Sequence, residues 1–264
     1  MPELPEVEYA ARIARAACQG KRIREVRSCH PSQRRTLPDV VARTLAGDVV
    51  REVRRCGKHQ LFQLASGRTI HVHFRMTGDW SVGEAAPPVH RFARVILDFD
   101  DGTRLALVDT RALSHVSVHE AGESPLPDLG PEATAPEFDA AWLAAHLARR
   151  RAPVKPILLD QRVVAGIGNI YASEALWYAR VDPRRPAHRL SSDRVAAIVA
   201  GVKRTMRKAL AHPERYHGAD AVRDAVRFNV YDREGRPCRR CRAPISRLTQ
   251  AGRSTYFCRS CQKG

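Results

Sequence analysis

Residues 238–261 read CRRCRAPISRLTQAGRSTYFCRSC, and the four cysteines in that stretch decide how the rest of the chain is read. Cys238 and Cys241 form one close pair and Cys258 and Cys261 another, with 16 residues between them. Zinc prefers four soft thiolates in a tetrahedron, and each C-x-x-C turn presents two of them to a single metal. Two disulfides are the alternative, disfavoured by the paired spacing and by a reducing compartment. The intervening RAPISRLTQAGRSTYF is basic and splits into two short strands about a turn at Ala251-Gly252. A segment of about 27 residues cannot build its own core, so one structural Zn2+ is expected to clip an arginine-bearing hairpin in place. The other three cysteines, Cys18, Cys29 and Cys56, lack ligand spacing and read as small hydrophobes.

Upstream of the finger the pattern is helical. DAAWLAAHLARR (139–150), PVKPILLDQRV (153–163), NIYASEALWYAR (169–180) and SSDRVAAIVAGVKRTMRKAL (191–210) repeat apolar residues at i, i+3 and i+4, and Ser191 or Ser192 is a suitable cap for the last. Further upstream, AGESPLPDLGPEATAPEF (121–138) is a Pro- and Gly-rich linker. From 21 to 119 the rhythm is alternation, with hairpins expected about Ser66-Gly67 and Asp101-Gly102, so this half reads as a β-sandwich or flattened barrel. Residues 3–17 return to helical spacing, with Glu3, Glu6 and Glu8 near the positive helix end. The chain is therefore all-β behind one helix, then all-α, then a metal-clipped hairpin.

Composition narrows the function classes. The chain has 264 residues, with 45 Lys and Arg against 28 Asp and Glu, a net charge of +17. Such a surface attracts polyanions, nucleic acid first among them. The acidic start lacks the apolar core of a signal peptide, and no run approaches the roughly 18 apolar residues of a membrane span, so a cytoplasmic protein is expected. Within the helical half, VVAGIGNIYASE (163–174) places Gly166 and Gly168 in a tight turn ahead of Asn169. Backbone amides at such a turn suit a phosphate oxygen, although a plain helix–helix corner has the same pattern. Lys155 and the run Arg149 to Arg151 favour the phosphate reading.

MPELPEVE (1–8), Gly57-Lys58, HFRMTGDW (73–80), VVAGIGNIYASEAL (163–176), VYDREGRPC (230–238) and the ending YFCRSCQKG together resemble bacterial formamidopyrimidine-DNA glycosylase, in order and across the whole chain. The resemblance implies an α+β, two-domain protein of the helix-two-turns-helix superfamily. Its parts would be an N-terminal β-sandwich with an N-terminal helix (1–120), a linker (121–137), a helical helix-two-turns-helix domain (138–228) and a zinc-bound hairpin (229–264). It further implies a base-excision repair enzyme, likewise a monomer in the bacterial cytoplasm at the nucleoid. Its partner would be double-stranded DNA carrying oxidised bases or abasic sites.

By resemblance, Pro2 is the nucleophile, exposed as a secondary amine once Met1 is removed, and able to form an iminium at a sugar C1′. Glu3 matches the acid–base carboxylate, Glu6 a supporting one, and Lys58 the proton donor of β-elimination. Arg253 matches the arginine that grips the lesion phosphates and is associated with δ-elimination, a task its planar fork suits. His90, Arg111, Arg150 and Asn169 are further phosphate contacts by resemblance, and Lys155 joins the expected DNA contacts from its place ahead of the glycine turn. Met76, Arg111 and Leu113 would fill the gap left by an everted base.

Two departures bear on substrate. The family's DPRRFG is DTRALS at 109–114, which puts Leu113 where a phenylalanine is usual. The stretch AHPERYHGADAVRDAVRFN (211–229) is shorter than usual and lacks the glycine-rich element that covers a flipped 8-oxoguanine. Oxidised purines remain the expected substrates. An endonuclease VIII-like preference for oxidised pyrimidines and a non-catalytic zinc-finger binder of damaged DNA are the alternatives.

Overall fold

The computed structural model describes residues 2–86, 88–216 and 228–263. Helix α1 (Leu4–Cys18) precedes strand β1 (Ile23–Ser28), and two short helices, α2 (Pro31–Arg34) and α3 (Asp39–Arg43), follow it. Seven strands come next: β2 (Val50–Cys56), β3 (His59–Leu64), β4 (Thr69–His73), β5 (Asp79–Glu84), β6 (Ala93–Phe99), β7 (Thr103–Val108) and β8 (His115–His119). They form two four-stranded antiparallel sheets, ordered β1-β6-β7-β5 and β2-β3-β4-β8. Alternation places the layers: in β3, Gln60, Phe62 and Leu64 are buried while His59, Leu61 and Gln63 face outward. The inner faces of both sheets and one stripe of α1 (Val7, Ala10, Ala14) share one apolar core that includes Phe62, Ile70, Val72, Leu97 and Leu105. The expected sandwich is present, and both anticipated hairpins form, β3–β4 around Ser66-Gly67 and β6–β7 around Asp101-Gly102.

Helices α4 (Ala140–Leu147), α5 (Val154–Leu158), α6 (Asn169–Ala179) and α7 (Ser192–Ala211) follow the linker, and strands β9 (Ser246–Gln250) and β10 (Arg253–Phe257) pair as the terminal hairpin. Ser191 is the cap of α7, its side chain accepting from the Arg194 amide. Helices α6 and α7 pack closely at Gly201, where an added Cβ would lie 2.5 Å from the Ala175 carbonyl oxygen. A side chain there has no room, which is why glycine occupies the middle of a 20-residue helix despite its entropic cost. The chain forms two compact units: one runs to Pro127, and the other takes in Asp128–Tyr216 and 228–263. No described helix is long and apolar enough to cross a membrane. Most of the shortened stretch at 211–229 lies outside the described residues.

Candidate active site and nucleic-acid interface

In the first unit the acidic start of the chain becomes a closed helix cap. Glu3 is the N-cap of α1, and its backbone N–H donates to Glu6 Oε2 at 2.7 Å while its own side chain accepts from the Glu6 amide. This reciprocal box satisfies two donors that a helix start leaves open. It also holds both carboxylates out of solvent, Glu3 at 1% exposure and Glu6 at 7%, with Pro2 half-buried beside them. Lys58 follows Gly57, which needs its positive φ of 56°, in the turn between β2 and β3, and is itself buried. Arg55 ties that turn to α1: its guanidinium lies 2.8 Å from Glu8 Oε2 and donates to the Gly57 carbonyl at 3.1 Å. Burial alone would raise the Glu8 pKa, but Arg55 and Arg12 outweigh it and hold the carboxyl below its ordinary value.

Met76 and Leu113 are two of the few large apolar side chains left exposed among the described residues. Both sit in loops with left-handed backbone, at Arg75 (φ 57°) and Ala112 (φ 51°), a conformation non-glycine residues rarely adopt. Arg111 is exposed in the second loop, and His90 is exposed ahead of β6, its Nδ1 accepting from the Phe92 amide at 3.1 Å. Beneath these loops lies Asp109, fully buried, a residue the sequence reading passed over.

In the second unit, Asn169 opens α6 as expected, with Gly168 as N-cap. Lys155 departs from a surface contact. It is 1% exposed, and its ammonium donates to Asn169 Oδ1 at 2.5 Å, Thr255 Oγ1 at 2.7 Å and the Ser254 carbonyl at 3.2 Å. Asn169 Nδ2 donates to the same Ser254 carbonyl at 2.9 Å. The lysine thus joins the α6 start to β10, and Arg253 stands exposed at the head of that strand. Arg150 is half-exposed and 3.3 Å from Asp160. Glu174 was likewise not legible in sequence. It is 3% exposed and accepts from the amides of Asn229, Val230 and Tyr231 and from Asn229 Nδ2, fixing the chain's entry to the finger on α6.

The four finger sulfurs lie within 4.8 Å of one another, with Cys241 and Cys258 3.4 Å apart and Cys238 and Cys261 4.0 Å. Thiolates at about 2.3 Å from a tetrahedral zinc stand about 3.8 Å apart, so the set fits that ion and is too wide for disulfides. Burial and neighbouring sulfurs push Cys261 up to about 12, the repulsion a divalent cation would relieve. Trp177 of α6 backs the cluster, donating to Cys238 Sγ at 3.5 Å and lying 4.1 Å beneath the Arg240 guanidinium. One structural zinc is the group these residues hold.

A β-sandwich headed by a buried, capped acidic helix start, in a chain that continues through a glycine-turned helical unit to a four-cysteine finger, defines the helix-two-turns-helix class of DNA-handling proteins. Family models match in the same order: the formamidopyrimidine-DNA glycosylase N-terminal domain over 1–116, its H2TH domain over 129–217, and the zinc finger found in FPG and IleRS over 235–264. The formamidopyrimidine-DNA glycosylase of Chloroflexus aurantiacus is 37% identical over 99% of this chain and 98% of its own, and that of Bacillus subtilis 36% over 99% of each. A Lactococcus lactis FPG bound to a Fapy-dG containing DNA superposes with a TM-score of 0.90 at 26% identity over the full length of both chains. A MutM bound to carbocyclic 8-oxo-G containing DNA gives 0.90 at 27%, again over both full lengths. This chain belongs to the formamidopyrimidine-DNA glycosylase family.

Proposed function

We propose that the protein is a DNA glycosylase and abasic-site lyase of base excision repair, releasing oxidised purines such as formamidopyrimidines and 8-oxoguanine from double-stranded DNA. The observation that carries the mechanism is Pro2 joined directly to a buried, mutually capped Glu3–Glu6 pair. With Met1 removed, the Pro2 nitrogen is a secondary amine whose lone pair attacks C1′ of an everted nucleotide. The glycosidic bond breaks, its electrons leave with the base, and the base takes up a proton. The attached nitrogen then loses its proton, the C1′–O4′ bond opens as O4′ takes up a proton, and the resulting iminium acidifies C2′–H. Loss of that proton expels the 3′ phosphate, and a second elimination expels the 5′ phosphate. Glu3 exchanges protons with the sugar, Glu6 fixes Glu3, and Lys58 donates a proton during β-elimination. Arg253, Arg150, Arg111, His90 and Asn169 grip phosphates, and Lys155 supports Asn169 and the Arg253 strand. Zinc supplies structure alone, holding the hairpin.

The working parts divide as a catalytic sandwich (1–120), a linker (121–137), a helical domain (138–228) and the finger (229–264), acting as a monomer at the bacterial nucleoid. Borohydride added during turnover on a duplex containing 8-oxoguanine or an abasic site should trap a covalent protein–DNA adduct. No adduct with either substrate would defeat the reading. Wild-type Lactococcus lactis FPG has also been seen with an oxidized pyrimidine containing DNA. A thymine glycol duplex run in parallel ranks the pyrimidine alternative, which prevails if that duplex is cleaved faster.

A further inference from the structure

Every expected wedge residue of the first unit hangs from one buried carboxylate. Asp109 Oδ1 accepts from the Thr77 hydroxyl and from the Arg111 amide at 3.0 Å. Its Oδ2 accepts from the amides of Leu113 and Ser114, each at 2.7 Å. Thr77 is the neighbour of Met76, so one side chain joins the Met76 turn to the Arg111–Leu113 loop. The main chain of the same residue reaches a third segment: its N–H donates to the Phe92 carbonyl at 3.0 Å, and its carbonyl accepts from Arg94 Nε at 2.6 Å. His90 belongs to that segment, its Nδ1 bonded to the Phe92 amide. From below, Ser32 donates to the Ala112 carbonyl at 3.0 Å and Gln33 to the Ser114 carbonyl at 2.8 Å.

We infer that Asp109 is a positioning residue for base eversion: it couples the Met76 turn and the Arg111–Leu113 loop so that they enter the helix as one wedge. The inference rests on the glycosylase reading above. An everted base leaves a gap between stacked neighbours, and flexible side chains fill such a gap only at an entropic cost. Two loops locked to a shared anchor meet that cost during folding, before DNA arrives. The anchor also explains how Arg75 and Ala112 stay in left-handed backbone, since strain of this kind persists only where surrounding bonds over-determine it. Burial would raise the Asp109 pKa, yet the hydroxyl of Thr77 and the amides of Ser114 and Arg111 hold it below its ordinary value, so the carboxylate stays an acceptor at neutral pH.

Thr77→Val cuts the link between the loops and leaves the carboxylate with its amide donors. Thr77→Ser keeps the hydroxyl. Asp109→Asn removes an acceptor and turns amide hydrogens toward existing donors. Two rates are compared: base release from a fully paired 8-oxoguanine duplex, and strand cleavage at an abasic site, where no base needs to be levered out. The rise in fluorescence of 2-aminopurine placed beside the lesion reports eversion directly. For Thr77→Val, base release should slow about tenfold and the fluorescence rise shrink, while abasic-site cleavage stays within about twofold. Thr77→Ser should restore both signals, and Asp109→Asn should exceed the valine effect. Equal slowing on both substrates, or a Thr77→Val enzyme indistinguishable from wild type, would overturn the coupling while leaving the glycosylase assignment intact. A wild-type protein inert on both substrates would remove the assignment and the coupling together.

Discussion

Glu3 caps a helix with the same atoms to which the proposed mechanism gives an acid–base task. Its carboxylate caps α1 and stays buried because Glu6 returns the favour through the Glu3 amide. Either fact alone reads as helix capping, with Pro and Glu in ordinary first-turn positions. The burial of Glu3 beside Pro2 is what the proposed mechanism uses, with its carboxyl exchanging protons with the sugar that Pro2 would attack. Glu3→Gln preserves an oxygen that can accept the Glu6 amide, so the helix and the melting temperature should change little. Base release should fall on the order of 10²–10⁴-fold, the usual worth of a positioned acid–base group. An enzyme of ordinary rate in a single-turnover assay would show that Glu3 is only a cap.

At the level of elements, the outer face of the β2-β3-β4-β8 sheet carries a feature that alternation alone does not disclose. His59, His73 and His115 lie side by side across β3, β4 and β8 in strand register, and His71 and His119 flank them on the same face. His59 and His71 share a hydrogen bond of 2.7 Å, and Ser117 bridges His71 and His119. His73 Nδ1 accepts from the Arg75 amide, so the neutral ring carries its proton on Nε2. Burial first, then the positive charges of Arg75, Lys58 and neighbouring imidazoles, depresses these groups: His59 to about 4, His71 and His73 to about 3, and His115 below its ordinary value. An unfolded chain binds protons at His59, His71 and His73 near pH 6.5, whereas the folded sheet keeps these three rings neutral until about pH 3–4. Their contribution to stability is thus complete above about pH 6.5 and lost progressively as pH falls toward 4. The melting temperature should be lower at pH 5.0 than at pH 7.5, and His71→Asn should flatten the difference. An unchanged or rising melting temperature on acidification would contradict the depressed values.

Over the whole molecule the relevant quantity is the net charge of +17. Only a few of those cations are expected to meet phosphates directly. If Arg111, Arg150 and Arg253 each neutralise one, the logarithm of the association constant should fall against the logarithm of salt concentration with a slope of about −3. Each arginine-to-alanine replacement should flatten it by about 0.9. Arg150→Ala should act least on affinity, because Arg150 must first exchange Asp160 for a phosphate. Titrations of an abasic-analogue duplex between 50 and 200 mM salt measure the slope, and a flat response would mean that the basic surface does not carry binding.

Local spacing by itself determined the zinc ligands, both sandwich hairpins, the helix at the acidic start and, to within one residue, the α7 cap, because each depends on residues close in sequence. Other properties depended on partners brought together from far along the chain. Lys155 reads as one more phosphate-seeking lysine until Thr255, 100 residues away, buries it. The five histidines of the outer sheet face occur in three separate stretches, and only strand register sets them side by side. Asp109 is an unremarked aspartate in DTRALS until Thr77, 32 residues earlier, donates to it. A sequence displays periodicity and spacing directly. Whether a charged side chain becomes a surface contact or a buried anchor is decided by desolvation and by the donors and acceptors that tertiary packing supplies.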